Sequence, residues 1–132
     1  QYDQAIASYR QALTLDPDYE EAFNNLSITY TQAGRYYGEQ RGDLAKALEY
    51  LQQGYQLRSD DYETVRLLGV AYGISGNVPK AIEFFEKGTQ LQPNNAGAWY
   101  DLGTAYHNAG NPEKGNEYMQ KAMAIEPDIV QK

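Results

Sequence analysis

The sequence predicts an all-α fold, a solenoid of antiparallel helix pairs, and three observations lead there. The chain repeats itself: Trp99, Leu102, Gly103 and Tyr106 have counterparts 34 positions earlier in Val65, Leu68, Gly69 and Tyr72. Within each unit apolar residues recur at i, i+3 and i+7, which gathers them on one face of a helix. No useful length of chain alternates with period two, so no strand is expected. A lone helix pair cannot bury its apolar face, so neighbouring pairs must stack into a continuous core.

Taken in order, residues 1–17 read as the second helix of a truncated unit. Ala5, Tyr9, Ala12 and Pro17 match Ala47, Leu51, Gly54 and Ser59 at an offset of 42. Residues 18–59 form a full pair, with Phe23, Leu26 and Tyr30 on the first helix and Ala47, Leu48, Leu51 and Tyr55 on the second. Residues 60–93 follow with Val65, Leu68 and Tyr72, then Ala81, Ile82 and Phe85. Residues 94–127 close the series, and 128–132 form a tail, all within a single domain. Pro17, Pro93 and Pro127 stop the second helices, because proline cannot continue a helix but can start the next. Ser59 replaces that proline once, as an N-cap with Asp60 and Glu63 at capping-box spacing. Gly34, Gly76 and Gly110 suit the left-handed residue that ends a helix, although Gly42 can take Gly34's part. Small residues at Ala12, Gly54, Gly88 and Ala122 allow close helix approach.

The register slips once. Phe23, Leu26, Ser27 and Tyr30 match the later set at 42 rather than 34, an excess of eight residues that falls in "AGRYYGEQRGD". Eight residues are close to two helical turns, so the flanking helices can keep their phase. A helix extension plus a loop is expected there, adding little to the core. Arg35, Tyr36, Tyr37 and Arg41 make it a candidate second contact surface, since Tyr and Arg are enriched at interfaces.

The pattern W-x2-L-G-x2-Y, complete from Trp99 to Tyr106, followed by the spacing of Ala81, Phe85 and Pro93, resembles the tetratricopeptide repeat. The resemblance spans essentially the whole chain. It implies a right-handed superhelix whose first helices line a concave, protein- or peptide-binding groove. The groove positions it implies are Glu21, Asn24, Ile28 and Thr31; Glu63, Arg66, Val70 and Gly73; and Gly97, Tyr100, Thr104 and His107. Family members that grip a terminal carboxylate use Lys and Asn where Asn24 and Ile28 stand, so that clamp is missing. The asparagine ladder of glycosyltransferase-linked members is reduced to Asn25, followed by Leu67 and Asp101.

Composition narrows the function. Eleven basic against eighteen acidic residues give a net charge of -7, which opposes binding to nucleic-acid phosphates. No run approaches the ~18 apolar residues of a membrane span. Without cysteine there is no thiol nucleophile or thiolate metal site, and His107 is the sole histidine. The carboxylate pairs Glu20–Glu21 and Asp60–Asp61 sit at helix starts, where the macrodipole favours them. No cofactor, metal or catalytic constellation is expected, and the partner is another protein or peptide. A chain opening on Gln1 is expected to be a piece of a longer protein, so a regulatory arm of an enzyme is one alternative. Weak self-association is another, through Ile6, Tyr9 and Leu13 at one end and Tyr118, Met119, Ala122 and Ile125 at the other.

Overall fold

A computed structural model describes residues 1–129, so residues 130–132 of the expected tail lie outside it. Among the described residues the chain forms seven helices and no strand: α1 (Tyr2–Leu15), α2 (Glu20–Glu39), α3 (Leu44–Leu57), α4 (Tyr62–Ile74), α5 (Val78–Leu91), α6 (Ala96–Asn108) and α7 (Pro112–Ile125). The described residues fall into two compact units, divided between residues 64 and 65.

The second helices start and stop by one device. Asp43, Asn77 and Asn111, again 34 apart, accept the backbone N–H of Lys46, Lys80 and Lys114. Each thereby satisfies a donor that the first helical turn leaves unpaired. At the other end Asp16, Arg58, Gln92 and Glu126 leave the helix in extended or near-extended backbone. For Asp16, Gln92 and Glu126 that is the conformation the following proline demands. The expected Ser59 cap is corrected: α4 begins at Tyr62, and Asp61 accepts from the backbone N–H of Thr64.

The slipped register resolves into seven helical residues and one turn residue. α2 has 20 residues where α4 and α6 have 13, and the turn after it is one residue longer. Gly42, with φ +62°, is the left-handed residue that matches Gly76 and Gly110. Gly34 is not a helix terminator; it lies buried inside α2. A Cβ there would come within 2.5 Å of Leu51 Cγ, and one on Gly38 within 3.5 Å of the Ala47 Cβ. Gly34 therefore lets α3 lie close along α2, Gly38 has room for a methyl, and Gly42 turns the chain.

In the first unit Ile6, Leu26, Tyr30, Ala33 and Tyr50 form the core, with Tyr2, Tyr9, Leu13, Tyr37 and Leu57 packed on it. Tyr37 stacks on Tyr50 (centroids 5.5 Å apart, 17° between planes), and Lys46 Nζ lies 4.8 Å from the Tyr37 ring centre. The added turns thus reach the core, contrary to the expectation that they add little to it. Asp3 accepts a 2.5 Å hydrogen bond from the Tyr50 hydroxyl. Burial and that carboxylate push the Tyr50 hydroxyl well above its ordinary pKa.

In the second unit Val65, Leu68, Leu102 and Ala122 are almost wholly buried, Phe84 is buried, and Phe85 is half-buried against Gly69 of α4. Tyr118 stacks on both Trp99 and Tyr106. Trp99 donates its indole N–H to the Pro93 carbonyl at 2.7 Å. Of the residues named for open ends, Ile6 and Ala122 are buried. Tyr9 and Leu13 pack on the first core, Tyr118 is stacked, and Met119 packs beside Gly103. Ile125 alone is exposed, so these residues do not leave two open apolar faces.

Candidate functional site

Each unit carries a cleft lined by side chains from the expected groove face of its first helices. In the first, Asn24, Ser27, Ile28, Thr31, Gln32 and Arg35 of α2 face Arg58, Asp61 and Glu63 around about 430 Å³. Ile28 is 53% exposed there, an apolar side chain open to water between polar walls. One wall is the Arg35–Glu63 ion pair. The other is Arg58, which donates to the Asn24 side-chain carbonyl and lies with its guanidinium carbon 5.5 Å from the Phe23 ring centre. Thr31 is buried beneath, sharing a 2.7 Å hydrogen bond with Thr64, whose hydroxyl donates to Asp61 at 2.6 Å. Thr31 therefore fixes the floor rather than offering a free hydroxyl.

The second cleft, about 400 Å³, is the more apolar. Val70 and Ile74 of α4, Val78 and Phe85 of α5, and Thr104 and Ala105 of α6 line it, with Asp101 and Asn108 at its edge. Gly69 and Gly73 also line it. The Phe85 ring packs across Gly69, where a Cβ would approach it to 2.7 Å. Ile74 is 67% exposed. Arg66 Nε holds Asp101 Oδ2 at 3.2 Å. Burial nevertheless raises the Asp101 pKa above 3.8, with the Arg66 charge and hydrogen bond opposing.

Of the sequence-derived site residues, Asn24, Ile28 and Arg35 come together in the first cleft and Val70 and Thr104 in the second. Arg66 reaches the second only through Asp101. Tyr100 and His107 lie outside that lining. Tyr100 uses its carbonyl to accept from Thr104 at 3.0 Å, and the His107 ring lies over Gly115 of α7. Tyr36 and Tyr37 stack edge to face, and Arg41 is exposed in the turn after α2. Sequence reasoning missed Arg58, Asp61, Ile74 and Phe85. The first two stand outside the first-helix positions considered, and Ile74 and Phe85 follow the apolar rhythm of ordinary packing.

Three family models match the chain: a TPR repeat over residues 1–34 and tetratricopeptide repeats over 39–96 and 84–115. Among solved structures, MamA is similar at 27% identity and a TM-score of 0.69, covering 98% of this chain and 71% of that one. YrrB, a TPR protein with an unusual peptide-binding site, matches at 24% identity and a TM-score of 0.72, covering 98% and 80%. The Thermobaculum terrenum O-GlcNAc transferase matches at 23% identity and a TM-score of 0.70, over 78% of this chain and 20% of its own. No curated protein matches the sequence.

Proposed function

Because this chain belongs to the tetratricopeptide-repeat family, we propose that it is a protein-interaction scaffold that takes peptide segments in its first-helix clefts and catalyses no reaction itself. The observation that carries this reading is the exposure of Ile28 and Ile74, each set in a cleft edged by hydrogen-bonding groups. Concave, partly apolar surfaces with a few placed polar groups are where ligands bury most of their area. In the first cleft a peptide would cover Ile28 and meet Asn24, Arg35 and Arg58 with its carbonyls. In the second, an apolar side chain would sit on Val70 and Phe85. Four repeat segments with boundaries near 17, 59 and 93 belong to the same reading.

A peptide library panned on the protein supplies a ligand, and single changes then locate it. Ile28→Glu or Val70→Glu, each placing a charge in one cleft, should weaken binding at least tenfold, whereas Gln120→Ala on α7 should leave it unchanged. Loss with Gln120→Ala and not with either cleft change would sink the assignment.

A further inference from the structure

The added turns of α2 build a third concavity that the interaction reading does not use. Tyr2 of α1, Gln32, Arg35, Tyr36 and Glu39 of α2, and Gln40 just after it surround about 410 Å³. Tyr2 and Tyr36 meet with ring centroids 5.7 Å apart at 49°, forming an aromatic corner with the Glu39 carboxylate among its neighbours. Tyr36, Glu39 and Gln40 all fall within the stretch that holds the eight extra residues, so the concavity exists only because α2 is long.

A cation is the group such a corner lacks. Elsewhere in the protein aromatic faces already carry one: Arg10 over Tyr30, Lys46 over Tyr37, Arg58 over Phe23, Lys114 over Tyr106 and Lys121 over Trp99. The attraction is that of a positive charge for the negative face of a ring, strongest where water is displaced. Among the described residues no such cation lies over Tyr2 or Tyr36, and Glu39 has no ion-pair partner. The nearby Arg35 is neutralised by Glu63, and Asp3 is engaged by Tyr50. The surrounding unit strengthens the preference, with eleven acidic residues against five basic in residues 1–64.

We infer that the Tyr2–Tyr36–Glu39 corner is a docking pocket for a lysine or arginine side chain of a basic protein segment. The side chain's methylenes lie along the rings, and its charge meets the ring faces and the Glu39 carboxylate. The pocket borders the first cleft at Gln32 and Arg35, yet it stands or falls separately from it.

The test uses the whole chain, isotope-labelled, titrated by NMR with a capped Gly-Lys-Gly-Lys-Gly peptide and with its counterpart carrying norleucine for lysine. The lysine peptide should shift the resonances of Tyr2, Tyr36, Glu39 and Gln40, and the norleucine peptide should not. Glu39→Gln, at an exposed position with no partner, should leave folding intact and weaken binding about three- to fivefold, the range of an exposed charge contact. Tyr36→Leu should weaken it similarly, while Ile28→Glu, which tests the cleft, should not. Equal binding of the norleucine peptide would mean the corner takes any apolar chain and would overturn the inference. So would shifts spread over Glu20, Glu21 and Asp60 that ignore Glu39→Gln. Equal binding of methylammonium and the lysine peptide would make it a site for small amines and would also overturn it.

Discussion

Single residues show how closely the helices are fitted. A methyl on Gly34 would strike Leu51, which is 2% exposed and cannot move away. Gly34→Ala should therefore cost about 1–3 kcal/mol, the usual range for overpacking, despite alanine's better helix propensity. At Gly115 the obstacle is the His107 ring, which is exposed and free to swing. Gly115→Ala should change the unfolding midpoint in urea far less, and equal losses at both sites would refute this contrast. Asp101 offers a second check. An acid with a raised folded pKa favours folding below its unfolded pKa, and that favour is lost as pH rises through the folded value. Asp101→Asn should thus flatten the fall in stability above the ordinary carboxylate range. Arg66→Ala, which removes both opposing influences, should push the Asp101 titration higher, as read from its carboxyl carbon by NMR.

Among the elements, α2 departs most from its repeat. Its added turns place Tyr37 between Tyr36 and Tyr50 and under Lys46. Removal of Arg35 to Gly42 would restore the 34-residue spacing but strip these contacts from the first core. The deletion should lose several kcal/mol, and Tyr37→Ala alone about 1–3 kcal/mol, less than for a fully buried aromatic. Thermal and urea unfolding measure both, and an unchanged Tyr37→Ala midpoint would return the extension to an idle insertion. The extension then has two sides: Tyr37 is structural, while Tyr36 and Glu39 remain accessible at the surface.

Across the whole molecule, charge is unevenly shared. Residues 1–64 hold eleven acidic and five basic side chains, residues 65–132 seven and six. Like charges crowded on one unit oppose its compact state, and salt shortens their reach. Raising NaCl from about 20 mM to about 200 mM, where the Debye length falls below about 10 Å, should raise the thermal midpoint. The same change should weaken binding of the lysine peptide. A midpoint that falls with salt would show that the ion pairs Arg35–Glu63 and Arg66–Asp101 outweigh the repulsion.

The sequence alone determined the helix pairs and their period, because burial of one face per helix writes itself as a spacing of apolar residues. The family resemblance pointed to Asn24, Ile28, Val70 and Thr104 as positions on the first-helix groove face, and the structure lines its clefts with them. Only the tertiary structure decided what meets that face. Arg58 reaches Asn24 across 34 residues, and Thr31 reaches Thr64 across 33. Phe85 crosses Gly69, and His107 turns toward Gly115 instead of a cleft. The same holds for the three glycines. Their even spacing is visible in the sequence, yet Gly34 makes room for Leu51 of α3, Gly42 makes a turn, and a methyl at Gly38 would meet only an ordinary contact. Periodicity records which side of a helix is buried; what lies against it depends on the distance and direction of another helix.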